Sequence, residues 1–362
     1  VFTYSPPFYV LVGAGAAWLG SRWRPLAWFS LGLIAVLSAG SIYAYHTDPR
    51  YASDDHRAAV EFLTESWRPG DAILVNAGYA YPALVTYWEG DPVTWRGRLL
   101  GKDTPDFGTL AGQGPVIVQT GTVDGDPSLG WADPASDFYA MQRDEAGQAL
   151  EQLFGAFHRV WVYRIYDTVT DPQGFLRDWL AGHGTAFEDR VFGGESQLRV
   201  QGFLTRRDAL AGIDQQHDEP AGDGALVLVG SWVGADPQVG GALDLALVWH
   251  IAADPPEDAL LFAGLFDDEG RRWAQADERP AGPLYPVSDW PVGVRVRTPL
   301  RLRIPPGTPP GTYSLEVGWY RFEAGQPVWL PWPTGHRLVL AQVTVVAPQR
   351  GWAALPSPDP AY

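Results

Sequence analysis

The longest apolar stretch of the chain lies close to its beginning, between Leu26 and Tyr45. None of its residues is charged, and a helix of this length rises about 30 Å, which is the thickness of the hydrocarbon layer of a bilayer. Pro25 stands where a helix tolerates proline, and aromatic residues flank both ends, as is typical near lipid headgroups. The pattern therefore predicts a membrane-spanning helix.

A second apolar run, from Phe8 to Leu19, precedes this stretch. As a helix it covers about 18 Å, which is too short to cross a bilayer, so we interpret it as the end of a longer span whose beginning is missing. Arg22 and Arg24 stand between the two runs, and short loops with arginines prefer the cytoplasm. We predict transmembrane helices over 1–46, a multi-pass protein of the cell membrane, and an extracytoplasmic position for the domains that follow.

The same region allows a second interpretation, namely a secretory signal peptide. Residues 21–25 would form its basic region and residues 26–41 its apolar core. Signal peptides do not begin with another hydrophobic run, however, and this chain has one between Phe8 and Leu19. The signal peptide is kept as the alternative to the membrane span.

Helical and strand-like patterns alternate between residues 47 and 207. Helices are predicted to begin near Ser53, Asp144 and Pro172. Buried strands are predicted over 72–76, 115–121 and 159–165, and a final pair of strands over 187–192 and 196–203. Such alternation is typical of an α/β layer with a largely parallel sheet, so we predict an extracytoplasmic α/β domain over 47–207.

The pattern changes to strands after a polar stretch over 208–223, which we interpret as a linker. From 224 to 347, runs of alternating apolar and polar residues are bounded by Gly, Pro and Asp, and Glu269-Gly270 stands at a hairpin turn. This pattern predicts an Ig-like antiparallel β-sandwich. The Pro-rich tail over 348–362 is predicted to be disordered. The predicted fold class is thus membrane-anchored α/β plus β.

Oxygen-bearing residues follow the predicted parallel strands at their carboxyl ends, where open α/β sheets bind ligands. Asn76, Tyr79 and Tyr81 follow the first strand, and Asp124 and Asp126 follow the second. These five are the candidates for binding a sugar or, through their oxygen atoms, a divalent cation. The alternative is a structural role, since the same residue types are common in strand-to-helix turns. Further polar residues at this edge are Thr120, Thr122, Asp167 and Asp171.

The amino-acid composition excludes several classes of partner and of catalytic chemistry. There are 26 basic and 42 acidic residues, giving a net charge of −16, which excludes nucleic acid as a partner because both surfaces would be negative. The absence of cysteine excludes disulfides and thiolate catalysis. No nucleotide-binding, serine hydrolase or zinc protease motif occurs, and the seven histidines show no metal-ligand spacing. No catalytic residue, metal ligand or cofactor is therefore assigned.

Several tryptophans in the strand-rich region have two interpretations. Indole rings stack on sugar rings in glycan-binding sites, and they also fill protein cores. The sequence leaves both interpretations open. The residues are Trp232, Trp249, Trp290, Trp319, Trp329 and Trp332.

The order of these parts, together with three segments, carries a resemblance to a known family. The segments are DDHRAAVEFLTESWRPGDAILVNAGYAYPAL over 54–84, HRVWVYRIYDTVTDPQGFLRDWLAGHG over 158–184, and LLFAGLFDDEGRRW over 260–273. The chain resembles the C-terminal portion of bacterial multi-span glycosyltransferases of the GT-C type. It is similar to the dolichyl-phosphate-mannose protein mannosyltransferases and the lipid A aminoarabinose transferases.

The resemblance implies a membrane enzyme that moves a sugar from a polyprenyl-phosphate donor to a glycan or protein acceptor. In that family the essential acidic residue lies in the first extracytoplasmic loop, which this chain lacks, so no catalytic residue is carried over and this chain alone is expected to be inactive. A divalent cation is left open for the parent enzyme. The alternative is a non-catalytic, membrane-anchored ectodomain with a glycan-binding or structural role.

Overall fold

The computed structural model describes residues 5–48, 53–76, 80–90, 93–98, 107, 114–124, 140–194 and 196–348. These residues divide into two compact units. The first unit contains the N-terminal part up to Asp55 together with the segment Phe192–Gln197. The second unit contains His56–Val191 and the chain from Leu198 onward.

The first unit begins with two helices, α1 (Ser5–Arg22) and α2 (Arg24–Thr47). Only Trp23 separates them, with φ −144° and ψ 80° outside the helical region. The predicted loop over 21–25 is therefore a single-residue break, because Pro25 fits the first turn of α2. The two helices lie close at this break, since a Cβ atom on Gly20 would stand 3.7 Å from the Cβ atom of Ala27.

Helix α2 is long and apolar enough to cross a membrane, and it is the one such helix in the part of the chain that the structure describes. Its large apolar side chains, such as Trp28 and Val36, are exposed. Its hydroxyl groups bond to carbonyl oxygens one turn earlier, Ser30 to Leu26 at 2.9 Å and Thr47 to Tyr43 at 2.7 Å. Such bonds satisfy polar side chains in apolar surroundings. The prediction of a membrane-compatible helix over 26–45 is confirmed.

The remainder of the first unit is a close contact between residues 53–55 and Phe192–Gln197. The Asp55 amide donates to the Gly193 carbonyl at 2.9 Å, and the Ser196 amide donates to the Asp54 carboxylate at 3.0 Å. Gly194 has φ +139°, and a Cβ atom there would lie 2.4 Å from the Asp54 Cα atom, so the contact requires glycine. The predicted helix start at Ser53 is therefore corrected, because Asp54 is held outside the helix.

The second unit begins with an α/β module. Its helices are α3 (His56–Ser66), α4 (Tyr81–Tyr87), α5 (Arg143–Ala156), α6 (Asp167–Thr170) and α7 (Phe175–His183). Its strands are β1 (Asp71–Asn76), β2 (Trp95–Arg98), β3 (Val116–Gln119), β4 (Thr122–Val123), β5 (Ala140–Met141), β6 (Arg159–Arg164), β7 (Thr185–Val191) and β8 (Arg199–Leu204). Six strands form one sheet in the order β2-β3-β1-β6-β8-β7.

This sheet is parallel from β2 to β6 and antiparallel at β8 and β7. Every residue of β1 and β6 is buried, as expected for central parallel strands covered on both faces. One face packs on apolar side chains of α5 and α7, including Leu150 and Leu180. The predictions of a largely parallel sheet and a final strand pair are confirmed.

A β-rich module completes the second unit. Its strands are β9 (Gln215–Ala221), β10 (Leu226–Val233), β11 (Ala242–Ile251), β12 (Leu260–Phe266), β13 (Arg272–Glu278), β14 (Arg295–Arg303), β15 (Gly311–Glu323), β16 (Gln326–Trp329) and β17 (Leu338–Val345). They form an antiparallel four-stranded sheet, β14-β11-β10-β9, and an antiparallel five-stranded sheet, β13-β12-β15-β16 with β17 also paired to β15. The predicted hairpin is present between β12 and β13, with Gly270 at φ +76°.

The predicted linker over 208–223 is corrected by this topology, because β9 lies within it. Strand β9 is the edge of the four-stranded sheet and pairs with β10. Its sequence, QQHDEPA, is polar and contains Pro220. Edge strands tolerate proline and charge because one side of their backbone faces away from the sheet, and this composition is what gave the appearance of a linker. Residues 349–362 of the predicted disordered tail lie outside the described residues.

Four of the six tryptophans belong to the core of the β-rich module. Trp249 and Trp319 are fully buried, and their rings meet edge to face with centroids 4.9 Å apart. Trp290 contacts Trp319, and Trp332 contacts Trp249. Because Trp249 lies in the four-stranded sheet and Trp319 in the five-stranded sheet, this cluster joins the two sheets.

Candidate functional site

Asn76, the first predicted site residue, is buried at the carboxyl end of β1. Its amide nitrogen donates to the Thr120 hydroxyl at 2.9 Å, and its amide oxygen accepts from the Thr170 hydroxyl at 2.9 Å. These two contacts connect the last residue of β1 with the residue that follows β3 and with the last residue of α6. They also use both polar ends of the Asn76 side chain, which favours the structural role left open by the sequence.

The other predicted site residues have separate partners. Asp124 pairs with Arg143 at the start of α5. Tyr81 begins α4 and is hydrogen-bonded to Arg96, and burial raises the pKa of its hydroxyl. Tyr79 and Asp126 lie outside the described residues. The structure thus brings Asn76 to Thr120 but shows no shared ligand-binding arrangement among the described members of the predicted set.

Two further acids at this edge serve local structure. Asp171 accepts the backbone N–H of Arg177 at 3.2 Å in the first turn of α7, and burial raises the pKa of its carboxyl group. Asp167 pairs with the buried guanidinium of Arg164, which also donates to Gln201 at 3.0 Å. In the part of the chain that the structure describes, no group of three or more acidic or histidine side chains could hold a metal ion.

A cleft lies between the α/β module and the β-rich module. We call it the inter-module cleft. One wall is formed by the ends of α3 and α4, and the other by the start of β11 and the end of β14. Its volume is about 590 Å³, within the range of small-molecule sites. Its lining residues are Thr64, Glu65, Trp67, Trp88, Glu89, Gly90, Gly240, Gly241, Ala242, Asp244, Arg301, Arg303, Ile304, Pro305 and Pro306.

Two indole rings form the aromatic part of this cleft. Trp67 directly follows α3 and is buried, whereas Trp88 directly follows α4 and is half-buried. Their rings meet edge to face, with centroids 6.0 Å apart. The Arg301 guanidinium lies 5.7 Å from the Trp67 ring centre and is held there by Asp244, through contacts of 2.7 and 3.1 Å. An arginine on the β-rich wall therefore covers an aromatic ring of the helical wall.

Charged side chains line the rim of the cleft. Glu65 on α3 stands 3.9 Å from Arg303 on β14, and Glu89 is exposed beside Trp88. The rim continues into a second open section of about 630 Å³, which adds Arg57, Glu61 and Tyr87. The two sections share Thr64, Glu65, Glu89, Gly90 and Arg303. Together they form one groove with carboxylates, guanidinium groups and aromatic rings.

The two modules are joined beside this cleft by a buried carboxylate. One oxygen of Asp71 accepts from Arg159 at 2.7 Å, from the Trp161 indole at 3.0 Å, and from the Arg68 amide at 2.9 Å. The Arg68 side chain then donates to Glu278 on β13 at 3.0 Å. A continuous chain of charge-assisted contacts therefore runs from β1 to the β-rich module.

A histidine and an arginine make a second junction between the modules. Arg297 on β14 donates to the Ala211 carbonyl at 2.7 Å and lies 3.2 Å from the His158 imidazole. Burial, aided by the Arg297 charge, lowers the pKa of His158 to about 3, and burial lowers the pKa of Arg297 to about 10. His158 is therefore neutral in the folded protein at ordinary pH.

This depressed pKa predicts a pH dependence of stability. Between pH 6.5, the ordinary pKa of histidine, and pH 3, the unfolded chain binds a proton at His158 and the folded chain does not. Stability should consequently fall as the pH falls through this window, by up to about 1.4 kcal/mol per pH unit. Urea unfolding of the wild type and of His158→Gln at several pH values measures this slope. We expect a shallower slope in the variant; equal slopes would contradict the prediction.

The inter-module cleft was not predicted from the sequence. Neither Trp67 nor Trp88 was among the predicted site residues, and nothing local indicates that α3 and α4 end beside each other. One signal was available in β14, RVRTPLRLR, where arginines alternate with apolar residues. A strand face that carries Arg297, Arg301 and Arg303 contacts either solvent or another module, and here it contacts another module.

Comparison with known proteins does not assign the chain to a family. No protein-family model and no curated protein matches the chain. Among solved structures, the C-terminal domain of Wzt is 10% identical, with a TM-score of 0.28, and the match covers 40% of this chain and 87% of that domain. The calcium-binding mutant of Bacteroides uniformis beta-glucuronidase 2 is 8% identical, with a TM-score of 0.21, covering 39% of this chain and 16% of that one.

A β-glucuronidase from Ruminococcus gnavus is 9% identical, with a TM-score of 0.17, and the match covers 44% of this chain and 19% of the enzyme. The chain thus spans less than a fifth of either glucuronidase. At TM-scores this low, the similarities carry no inference about fold or function.

Proposed function

We propose that this chain is a membrane-anchored, extracytoplasmic module that binds a saccharide in the inter-module cleft. The observation that carries the proposal is the half-buried indole of Trp88 beside the carboxylates of Glu65 and Glu89 in a cleft of about 590 Å³. A sugar ring has an apolar face that packs on an indole ring, and hydroxyl groups at its edge that donate to carboxylates.

The β-rich module supports such a cleft if it is a rigid body. We propose that its two sheets pack face to face as an Ig-like β-sandwich. The support is the alternation of buried and exposed residues along β14, and the contact of Trp249 with Trp319 from the opposite sheet. Inward-facing residues of two antiparallel sheets form the core of such sandwiches.

A second candidate function follows from the order of elements along the chain. An apolar helix, then an α/β module, then a β-rich module is the order on which the resemblance to GT-C glycosyltransferases rests. In that case the chain is part of an enzyme that uses a polyprenyl-phosphate-linked sugar. No acidic residue here matches the family's catalytic loop, so the inter-module cleft would bind the acceptor and would not catalyse the transfer.

Binding can be tested with calorimetry of the full chain in detergent against a broad panel of oligosaccharides. We expect at least one to bind, and Trp88→Ala to weaken binding at least tenfold, about 1.4 kcal/mol, because the stacking surface is removed. Phe322→Ala is the matched control, since it removes an exposed aromatic ring that is not part of the lining of either section. The proposal fails if the panel shows no binding, or if both variants bind as the wild type does.

The proposed orientation also has a direct test, because the chain contains no cysteine. In right-side-out vesicles, a membrane-impermeant maleimide should label Glu323→Cys, which lies in an exposed hairpin, and should label Ser21→Cys only after permeabilisation. The opposite pattern would show that the modules are cytoplasmic. Recovery of a soluble chain that lacks residues 1–41 would instead favour the signal peptide.

A further inference from the structure

The charges of the inter-module cleft restrict its ligand, if it binds a saccharide as proposed. Arg301 is neutralised by Asp244 through two hydrogen bonds, and Arg303 lies 3.9 Å from Glu65. Arg57 lies over the ring of Tyr87, 5.4 Å from its centre. Each arginine of the groove is therefore already engaged within the protein.

The carboxylates of the groove are less fully paired. Glu61 and Glu89 have no ion-pair partner among the residues that the structure describes. Glu89 lines both sections of the groove, and Glu61 lines the second. The lining carries four carboxylates and three guanidinium groups, a formal balance of about −1. The whole chain has a net charge of −16. A phosphate or uronate group would meet like charge here, and like charges facing each other cost binding energy.

The shape of the groove restricts the length of the ligand. Its two sections have volumes of about 590 and 630 Å³ and are continuous through five shared residues. The first section has the half-buried Trp88 beside the buried Trp67, and the second has Tyr87. Tyr87 and Trp88 are neighbours at the end of α4, so their side chains diverge into adjoining sections. An occupant that contacts both must extend along the groove.

We infer that the groove formed by the two sections binds the interior of a linear oligosaccharide without acidic groups, with one sugar unit at Trp88 and another at Tyr87. A single sugar would fill only one section. A lipid-linked donor would bring its phosphate to carboxylates. The groove therefore recognises a glycan chain without anionic groups and excludes the phosphate-bearing donor, which makes it an acceptor-type site. This inference rests on the proposed saccharide-binding function and adds the ligand's charge and length.

The test is calorimetry of the full chain in detergent with oligosaccharide ladders of one to six units. Neutral cello-, manno- and xylo-oligosaccharides are compared with oligogalacturonates, which carry one carboxylate per unit. We expect one neutral ladder to gain at least tenfold in affinity between one and four units, and the anionic ladder to bind at least tenfold more weakly. Equal affinity for one and four units, or tighter binding of the anionic ladder, would overturn the inference.

Variants locate the two subsites. Tyr87→Ala should weaken binding of the tetrasaccharide several-fold and leave that of the disaccharide unchanged, whereas Trp88→Ala should weaken both. Glu89→Gln should also weaken binding of both oligosaccharides. This substitution is smaller than truncation to alanine and lies at an exposed position, so the variant should fold as the wild type does. If Tyr87→Ala and the control Phe322→Ala behave alike, the two-section arrangement is wrong. Absence of binding for every ladder overturns the proposed function itself, whereas binding without length dependence overturns this inference alone.

Discussion

Replacing Asp71 with alanine is expected to lower the free energy of unfolding of the second unit by about 3–5 kcal/mol. The Asp71 carboxylate is buried and accepts from Arg159, Trp161 and the Arg68 amide. Removing it leaves the buried Arg159 guanidinium without its counter-charge, and burial alone already lowers the pKa of Arg159. An uncompensated buried charge is among the most destabilising changes known for single substitutions. Urea unfolding of the full chain, followed by tryptophan fluorescence, measures the effect.

The control is Glu323→Gln, which removes the partner of Arg321 in an exposed ion pair. Exposed pairs contribute little because water screens both charges, so this variant should unfold at nearly the wild-type urea concentration. A double variant, Asp71→Ala with Arg159→Met, should recover part of the lost stability, since it removes the unpaired charge as well. If Asp71→Ala unfolds like Glu323→Gln, the buried network does not stabilise the junction of the modules.

The central strands of the α/β module were predictable because of their burial. Strands β1, β3 and β6 are buried, so their sequences contain short unbroken apolar runs, which are typical of the central strands of a parallel sheet. Edge strands have the opposite property. β2 (WRGR) and β9 (QQHDEPA) lie at sheet edges and are polar, so their sequences do not differ from those of loops.

The candidate site was less predictable because the residues that form it lie far apart in the sequence. The carboxyl ends of parallel strands meet by geometry, and Asn76 and Thr120 indeed lie together there. The inter-module cleft instead depends on contacts between modules, such as Arg68 with Glu278, which are 210 positions apart. No local pattern encodes such a pairing. The helix start at His56 instead of Ser53 has the same origin, because Asp54 is held by Ser196, 142 positions away.

The second large effect is expected for Trp249→Ala, at about 3–5 kcal/mol of stability. Trp249 is fully buried, its ring contacts Trp319 from the other sheet, and its indole N–H donates to the Thr298 hydroxyl at 3.1 Å. Truncation removes a large apolar surface between the two sheets and leaves a cavity that rigid strands fill only partly. Urea unfolding again measures the loss.

Two further variants separate the contributions of the ring and its hydrogen bond. Thr298→Val keeps the ring but leaves the buried indole N–H without its acceptor, so a smaller loss of about 1–3 kcal/mol is expected. Phe322→Ala removes an aromatic ring that is 57% exposed and should change the unfolding midpoint little. If Trp249→Ala and Phe322→Ala shift the midpoint equally, Trp249 does not join the sheets. The proposal that they pack face to face would then be contradicted, and with it the rigid wall that the saccharide cleft requires.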